Sequence, residues 1–194
     1  MDFMITTTPS RILRLDASRR HGFTLVEVLI GATLASFVLA GVLSTFLFLG
    51  RSGANLRNYS DMETQARKAL ELFAEDTRQA SSVVWTDSNT LTLVVNSTNI
   101  KYAYASGIFV RTIGTATTGT TLLTGITNFN FLAYSITGVA LTDFSTAAAR
   151  TAANTATKQV QISLSAARSS QTVTTATNIV LSARYVLRNK RVTA

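Results

Sequence analysis

The sequence predicts an α+β chain: a long N-terminal α-helix packed against an antiparallel β-sheet head. Three observations carry that prediction. An apolar run of 23 residues without charge extends from Val28 to Gly50. A helical stripe of apolar residues then continues the same segment to about residue 81. From Val83 onward the apolar period changes to two, the period of a strand with one face on a core. No strand–helix–strand alternation appears, so a doubly wound sheet is not expected. The 194 residues suit one modest domain plus an anchor. They divide into a polar leader (1–22), an apolar helix (23–50), its amphipathic continuation (51–81) and a β-rich head (82–194).

The first helix is apolar enough to act as a membrane segment. At about 1.5 Å rise per residue, the run from Val28 to Gly50 would be roughly 35 Å long, sufficient to cross a bilayer core. Glu27 sits just before this run and four residues into the segment that starts at Phe23. A carboxylate inside lipid is costly, so an acid at this place is a functional candidate whose partner has to be found. The leader carries Arg11, Arg14, Arg19 and Arg20 against Asp2 and Asp16. Positive charge beside a spanning helix favours the cytoplasmic side, which puts the C-terminal bulk outside the inner membrane. Arg51 and Gly53 mark the membrane exit.

Past Gly50, Leu56, Tyr59, Met62, Ala66, Leu70, Phe73, Thr77 and Ala80 recur at spacings of three or four. Arg67, Lys68, Glu71, Glu75 and Asp76 read as lying mostly off that stripe. The stripe needs a cover, and the sheet supplied by the rest of the chain is the expected one. A coiled-coil dimer is less well served, because fewer than four clear heptads are present. No proline interrupts the helix, since the chain's one proline is Pro9; any kink would rest on Gly31 and Gly41.

The head shows several alternating runs. Leu91, Leu93 and Val95 alternate with Thr92 and Val94. Ile100, Tyr102 and Tyr104 alternate with Lys101, Ala103 and Ala105, and Asn96-Ser97-Thr98-Asn99 between these two runs has turn composition. Gly107–Arg111 is another short β-like run. Phe129, Phe131 and Ala133 form one inward set, Val160, Ile162 and Leu164 another, and Ile179–Leu187 is the last strand candidate. Thr112–Thr121, Thr142–Thr157 and Ala166–Thr177 are rich in small and hydroxyl residues and read as long loops, with a short helical turn expected within Ala147–Ala156.

The string Gly22-Phe23-Thr24-Leu25-Val26-Glu27 resembles the type IV prepilin cleavage and methylation motif: a glycine, an aromatic and a glutamate at this spacing, after basic residues and before a spanning helix. An ordinary secretory signal fits poorly, because its apolar region is about 7–15 residues and its cleavage site follows that region. The resemblance implies cutting after Gly22 by a prepilin peptidase. Phe23 would become an N-methylated N-terminus, and its amine, on the same or a neighbouring subunit, would be the partner of Glu27. Attraction between opposite charges is strengthened in a low-dielectric medium.

The segment Ala66–Ala80 is similar to the helix end of J-type minor pseudopilins and W-type minor pilins. Leu91-Thr92-Leu93, Val160–Leu164 and Tyr185–Asn189 are similar to that group's strands. The resemblance implies a structural minor subunit at the tip of a type II secretion pseudopilus or a type IV pilus. Its partners would be the prepilin peptidase, other pilin or pseudopilin subunits and the inner membrane.

Catalysis and metal binding are not expected. The chain has no cysteine, and its one histidine, His21, falls in the leader. Histidine triads, cysteine–histidine pairs and histidine-rich zinc sites are therefore excluded from a cleaved chain. From residue 82 onward the acids are Asp87 and Asp143, which read as solvated loop or strand-end groups. They form no carboxylate cluster of the kind calcium needs. No cofactor is implied.

Charge raises a competing class of function. The whole chain is +8, while residues 82–194 hold nine basic and two acidic residues and residues 23–81 five and six. A basic head suits DNA or another anionic polymer. Lys101, Arg111, Arg184, Arg188, Lys190 and Arg191 are the candidate contacts, the last four crowded at what reads as a loosely held C-terminal tail. The alternative is thus a DNA- or polyanion-binding minor pilin, although no basic–aromatic stacking motif stands out.

Overall fold

A computed structural model of the chain describes residues 22–170 and 173–192; the leader before Gly22, with its four arginines and His21, lies outside the described residues. The chain divides into two units, residues 1–46 and 47–194. Helix α1, Leu25–Gln79, contributes residues to both and is assigned without a break through Gly31 and Gly41. In the first unit every described residue is exposed. Several of its hydroxyl groups bond to the helix's own carbonyls: Thr33 donates to the carbonyl of Ile30 at 2.8 Å and Ser36 to that of Ala32 at 2.8 Å.

The second unit contains the core. Strands β1 (Ser82–Asp87), β2 (Thr90–Val95), β3 (Thr98–Ala105), β4 (Ile108–Ile113) and β5 (Thr120–Thr124) form an antiparallel meander in sequence order. Strands β6 (Ile126–Tyr134), β7 (Ala140–Leu141), β8 (Gln159–Ser170) and β9 (Val173–Val186) form a second sheet, ordered β7-β6-β8-β9. Helix α2, Ala147–Ala156, lies between β7 and β8 in sequence. The α+β class and antiparallel pairing are as the sequence predicts, but the head has two sheets rather than one.

Turn chemistry fixes the first sheet. Asn96 and Ser97 have φ of 48° and 63°, and Ser106 and Gly107 have φ of 51° and 79°. Each pair closes a two-residue hairpin, with Val95 opposite Thr98 and Ala105 opposite Ile108. Two successive positive φ values give the turn whose twist matches the flanking strands. Thr98 and Asn99, expected in the turn, belong to β3. The passage from β5 into β6 turns at Gly125, with φ of 77°. A Cβ there would lie 2.8 Å from the Ala167 carbonyl oxygen, so glycine is required.

The inward sets of β2, β6 and β8 are those expected: Leu91, Leu93 and Val95; Phe129, Phe131 and Ala133; Val160, Ile162 and Leu164 are all buried. The loop assignments need correction. The first loop narrows to residues 114–119, because β4 and β5 take both of its ends. Thr142–Thr157 contains α2, a full ten-residue helix rather than a single turn. Residues 166–170 and 173–177 are strand, extending β8 and β9. Small and hydroxyl side chains hide an apolar alternation, yet threonine suits a pleated surface and each strand supplies the other's hydrogen bonds.

Helix α1 is covered over its last turns. Met62, Ala66, Ala69, Phe73, Asp76, Thr77 and Ala80 are buried. Leu56 and Tyr59, expected on the covered stripe, are exposed; burial begins at Met62. Phe73 is the central contact. Its ring meets Tyr102 of β3 edge-on at 5.0 Å, stacks on Phe131 of β6 at 5.5 Å and meets Tyr185 of β9 at 5.7 Å. One helix side chain thus touches both sheets.

Asp76, expected off the stripe, is buried at the same level. It accepts from Tyr102 Oη at 2.6 Å and from Arg111 Nε and Nη2 at 2.8 and 3.1 Å. The successive buried positions 62, 66, 69, 73, 76 and 80 are spaced 4, 3, 4, 3, 4, which places Asp76 on the stripe. A carboxylate can occupy such a place because a bidentate arginine and a phenol satisfy it.

The C-terminal segment is held rather than loose. Leu187 is buried, and its N–H donates to the Lys158 carbonyl at 2.9 Å. Asn189 donates to the carbonyl of Gln79, the last residue of α1, at 3.1 Å. Lys190 is buried and donates from Nζ to the carbonyls of Thr155 and Thr157 at 2.7 and 2.8 Å. Helix α2 has no basic residue in its own last turn, and Lys190 supplies the cation there. At its other end Thr146 caps α2 by accepting from the Ala149 N–H at 3.1 Å. Trp85 of β1 joins α2 to the first sheet, its backbone N–H donating to Asn154 Oδ1 at 2.7 Å and its indole to Thr157 Oγ1 at 3.0 Å.

Two outcomes follow for stability. Phe73→Ala should destabilise the head by about 3–5 kcal/mol, since it empties a site bounded by both sheets; denaturant unfolding monitored by Trp85 fluorescence reads this directly. Burial, and then the hydrogen bond to Asp76, raises the Tyr102 phenol far above its ordinary value of 10.0. The folded chain therefore keeps that proton after the unfolded chain has lost it. The contribution is complete below pH 10.0 and declines as the pH rises above it. Tyr102→Phe should lower stability at neutral pH and flatten the alkaline decline, measured as the difference between the two proteins' denaturant midpoints against pH.

Candidate assembly site at the helix N-terminus

Gly22, Phe23 and Thr24 precede the first turn of α1 in non-helical conformation. Thr24 and Glu27 form a reciprocal cap. The Thr24 N–H and Oγ1 donate to Glu27 Oε2 at 3.0 and 3.1 Å, and the Glu27 N–H donates to Thr24 Oγ1 at 3.2 Å. The sequence Thr-Leu-Val-Glu at this spacing is a capping box, which satisfies two of the free donors of a helix N-terminus. It also places a negative charge in the first turn, at the positive end of the helix dipole.

Of the residues singled out from the sequence, Glu27 is tied into the cap and Phe23 lies beside it in the chain. Phe23 is 85 % exposed and directly precedes the capping threonine. Glu27 binds the cap through Oε2, and Oε1 has no hydrogen bond among the described residues. Among the described residues a Cβ built on Gly22 would meet no atom within 4 Å, so they place no demand for glycine there. The capping threonine was not singled out from the sequence, although the three-residue spacing from Thr24 to Glu27 signals it.

C-terminal to this site the helix surface stays apolar and exposed. Among the described residues α1 is the one helix long and apolar enough to cross a membrane. A helix apolar all round belongs in lipid or among other helices.

The basic residues offered as polyanion contacts do not behave as one set. Arg111 is engaged with Asp76, and Lys190 is buried under α2; both are corrections to a reading that placed them on an open surface. Arg111 is drawn inward by the Asp76 carboxylate, and Lys190 by the carbonyls of Thr155 and Thr157. Arg184 is exposed, with its guanidinium 3.6 Å above the Tyr134 ring and both Nε and Nη2 donating to Gln161 Oε1. Lys101, Arg188 and Arg191 are exposed. The two acids of the head make local turns. Asp87 accepts from the Asn89 N–H at 2.7 Å. Asp143 accepts from the Ser145 hydroxyl and N–H, which hold its carboxyl below the usual carboxylate range. No cluster of three or more metal-ligating side chains occurs among the described residues.

Comparison with known proteins agrees with the N-terminal geometry. The family model for the prokaryotic N-terminal methylation motif matches residues 17–43, which include the cap and the first turns of α1. No curated protein matches the chain. Such a motif implies a prepilin peptidase substrate that assembles with other pilin subunits, and the apolar helix behind it is consistent with a single-pass inner-membrane protein. This match at the N-terminus supports a type IV pilin-like subunit, a pilin or a pseudopilin.

Proposed function

We propose that the chain is a structural minor pilin or pseudopilin, cut between Gly22 and Phe23, methylated at Phe23 and held at the tip of a fibre through the apolar part of α1. The observation that carries this reading is the Thr24–Glu27 cap immediately behind an exposed Phe23. Cutting after Gly22 would create an amine two residues before the first residue of α1. A positive charge there faces the positive end of the helix dipole, an unfavourable arrangement that the Glu27 carboxylate offsets. Glu27 Oε1, without a hydrogen bond among the described residues, is available to an amine while Oε2 keeps the helix cap. In an apolar medium, burying a carboxylate and an ammonium as a pair costs far less than burying either alone. Before cutting, that amine does not exist, so the leader acts as a lock on assembly.

The glycine at position 22 supports the same reading. Since the described residues make no use of its missing side chain, recognition by the peptidase accounts for its presence. The leader's arginines favour a cytoplasmic N-terminus and a head beyond the inner membrane. The similarity of Ala66–Ala80 and the later strand runs to J-type and W-type subunits supports the minor, tip-proximal assignment, in a secretion pseudopilus or a pilus. A DNA- or polyanion-binding role is less well supported, since Arg111 and Lys190 are committed internally.

Intact mass and N-terminal sequencing of the chain from its native membrane should give a product beginning at N-methylated Phe23. A chain that retains its first 22 residues beside an active peptidase overturns the proposal. Glu27→Ala should leave cleavage largely intact and lower fibre incorporation by roughly tenfold or more, the scale of losing a desolvated ion pair. Normal incorporation of that variant, measured by fractionating sheared fibres, removes the charge-pairing argument.

A further inference from the structure

Among the described residues β9 pairs on one side only, with β8. The Leu187 N–H donates to the Lys158 carbonyl, and the antiparallel register puts Val160 opposite Tyr185, Ile162 opposite Ala183 and Leu164 opposite Leu181. Alternation along an antiparallel ladder then turns the N–H and C=O of the even-numbered residues from Asn178 to Val186 toward the open edge. The same even-numbered side chains are exposed, while Ile179, Leu181, Ala183 and Tyr185 pack on the core. The nine residues present about 30 Å of unpaired strand edge.

Other edges of the head are shorter or covered. The N–H of Trp85 in β1 is taken by Asn154 of α2, and β7 has two residues. Strands at open edges are usually protected by a proline, a bulge or a charge pointing outward. The segment Asn178–Val186 has no proline and no irregularity in its pairing with β8. Its one charge, Arg184, folds back across its own sheet onto Gln161 of β8 and Tyr134 of β6. The edge is thereby left uncharged. Beside it runs a groove of about 480 Å³ between β9 and α1, with an apolar floor of Leu70, Ala74 and Tyr185; its α1 side carries Glu71 and Glu75, with Arg78 and Gln79 at the helix end. Neither glutamate has an ion-pair partner among the described residues.

We infer that the edge of β9 from Asn178 to Val186 docks an extended strand of a neighbouring subunit. An open row of backbone donors and acceptors is satisfied by another extended backbone, which gives this surface its occupant. The neighbouring groove sets the sequence of that strand. Alternate residues facing Leu70, Ala74 and Tyr185 are apolar, and a lysine or arginine stands opposite Glu71 and Glu75. The inference rests on the subunit reading above and assigns it a partner surface.

The test uses the full chain in its native cells, with a photo-crosslinking residue at position 180 or 182 in separate variants and at exposed Val139 as a control. The expected result is that 180 and 182 each crosslink to one other polypeptide, at sites about two residues apart in a single segment. Val180→Pro removes an N–H that faces the open edge and leaves pairing with β8 in place. It should lower the yield from position 182 by roughly tenfold, the scale of losing an edge hydrogen bond and close backbone approach. Protease resistance of the head confirms that this variant folds; if it does not, Glu71→Lys with Glu75→Lys provides the second test and should reduce the same crosslink. Yields no higher than at Val139, scattered sites, or crosslinks unchanged by the folded variants overturn the inference. The N-terminus of the same material is read in parallel. A chain processed to Phe23 without these crosslinks rejects the docking edge alone, whereas an unprocessed chain rejects the subunit reading.

Discussion

The head depends on covering the last five turns of α1. A helix with a stripe from Met62 to Ala80 cannot remain exposed in water, and the chain after it provides two sheets that close on that stripe. Phe73 concentrates the constraint, since its ring touches β3, β6 and β9 together. The two sheets are joined through Gly125, where the chain turns with a positive φ and no room for a side chain. Once both sheets sit on Phe73, the remaining aromatic contacts, such as Phe109 with Phe129 at 5.0 Å, fill the space between them.

Inside this apolar contact lies one polar anchor. Asp76 is buried and joined to Tyr102 and Arg111 on neighbouring strands. Hydrophobic packing tolerates small slides of a helix over a sheet, because it has no direction. A bidentate arginine–carboxylate pair with a phenol does not, because displacement leaves a buried charge without its donors. The apolar contacts thus supply most of the attraction, and the Asp76 cluster fixes how α1 sits on the first sheet. The C-terminal segment adds a second fixation, since Asn189 holds the last carbonyl of α1 and Lys190 closes the end of α2.

The other part of α1 obeys the opposite requirement. Its apolar side chains are exposed all round, with the Thr33 and Ser36 hydroxyls turned to the helix's own carbonyls. Such a surface is unsuited to water and well suited to lipid or to other helices. The same rule, that apolar surface leaves water, is met within the chain at one end of the helix and left to the surroundings at the other. The Thr24–Glu27 cap marks where that unsatisfied surface begins.

Much of this was legible in the sequence, because it depends on periodicity and local chemistry. The uncharged run after Glu27, the switch from helical to alternating pattern, the inward residues of β2, β6 and β8, and the prepilin-type motif are all features of neighbouring residues. The methylation motif stood in a single short string for the same reason. What the tertiary structure decided depends on partners far apart in the chain. Asp76 and Arg111 read as surface charges until β4 brings one to the other across 35 positions. Lys190 read as part of a loose basic tail until the end of α2 offered it two carbonyls. The strands at 166–170 and 173–177 read as loops because small and hydroxyl side chains carry little apolar signal, and pairing supplied what composition did not. Leu56 and Tyr59 fit the stripe by spacing, but the sheets begin to cover α1 only at Met62. Periodicity tells which face of an element is apolar; where the cover starts, and which charges find partners, is set by long-range contacts that no local pattern encodes.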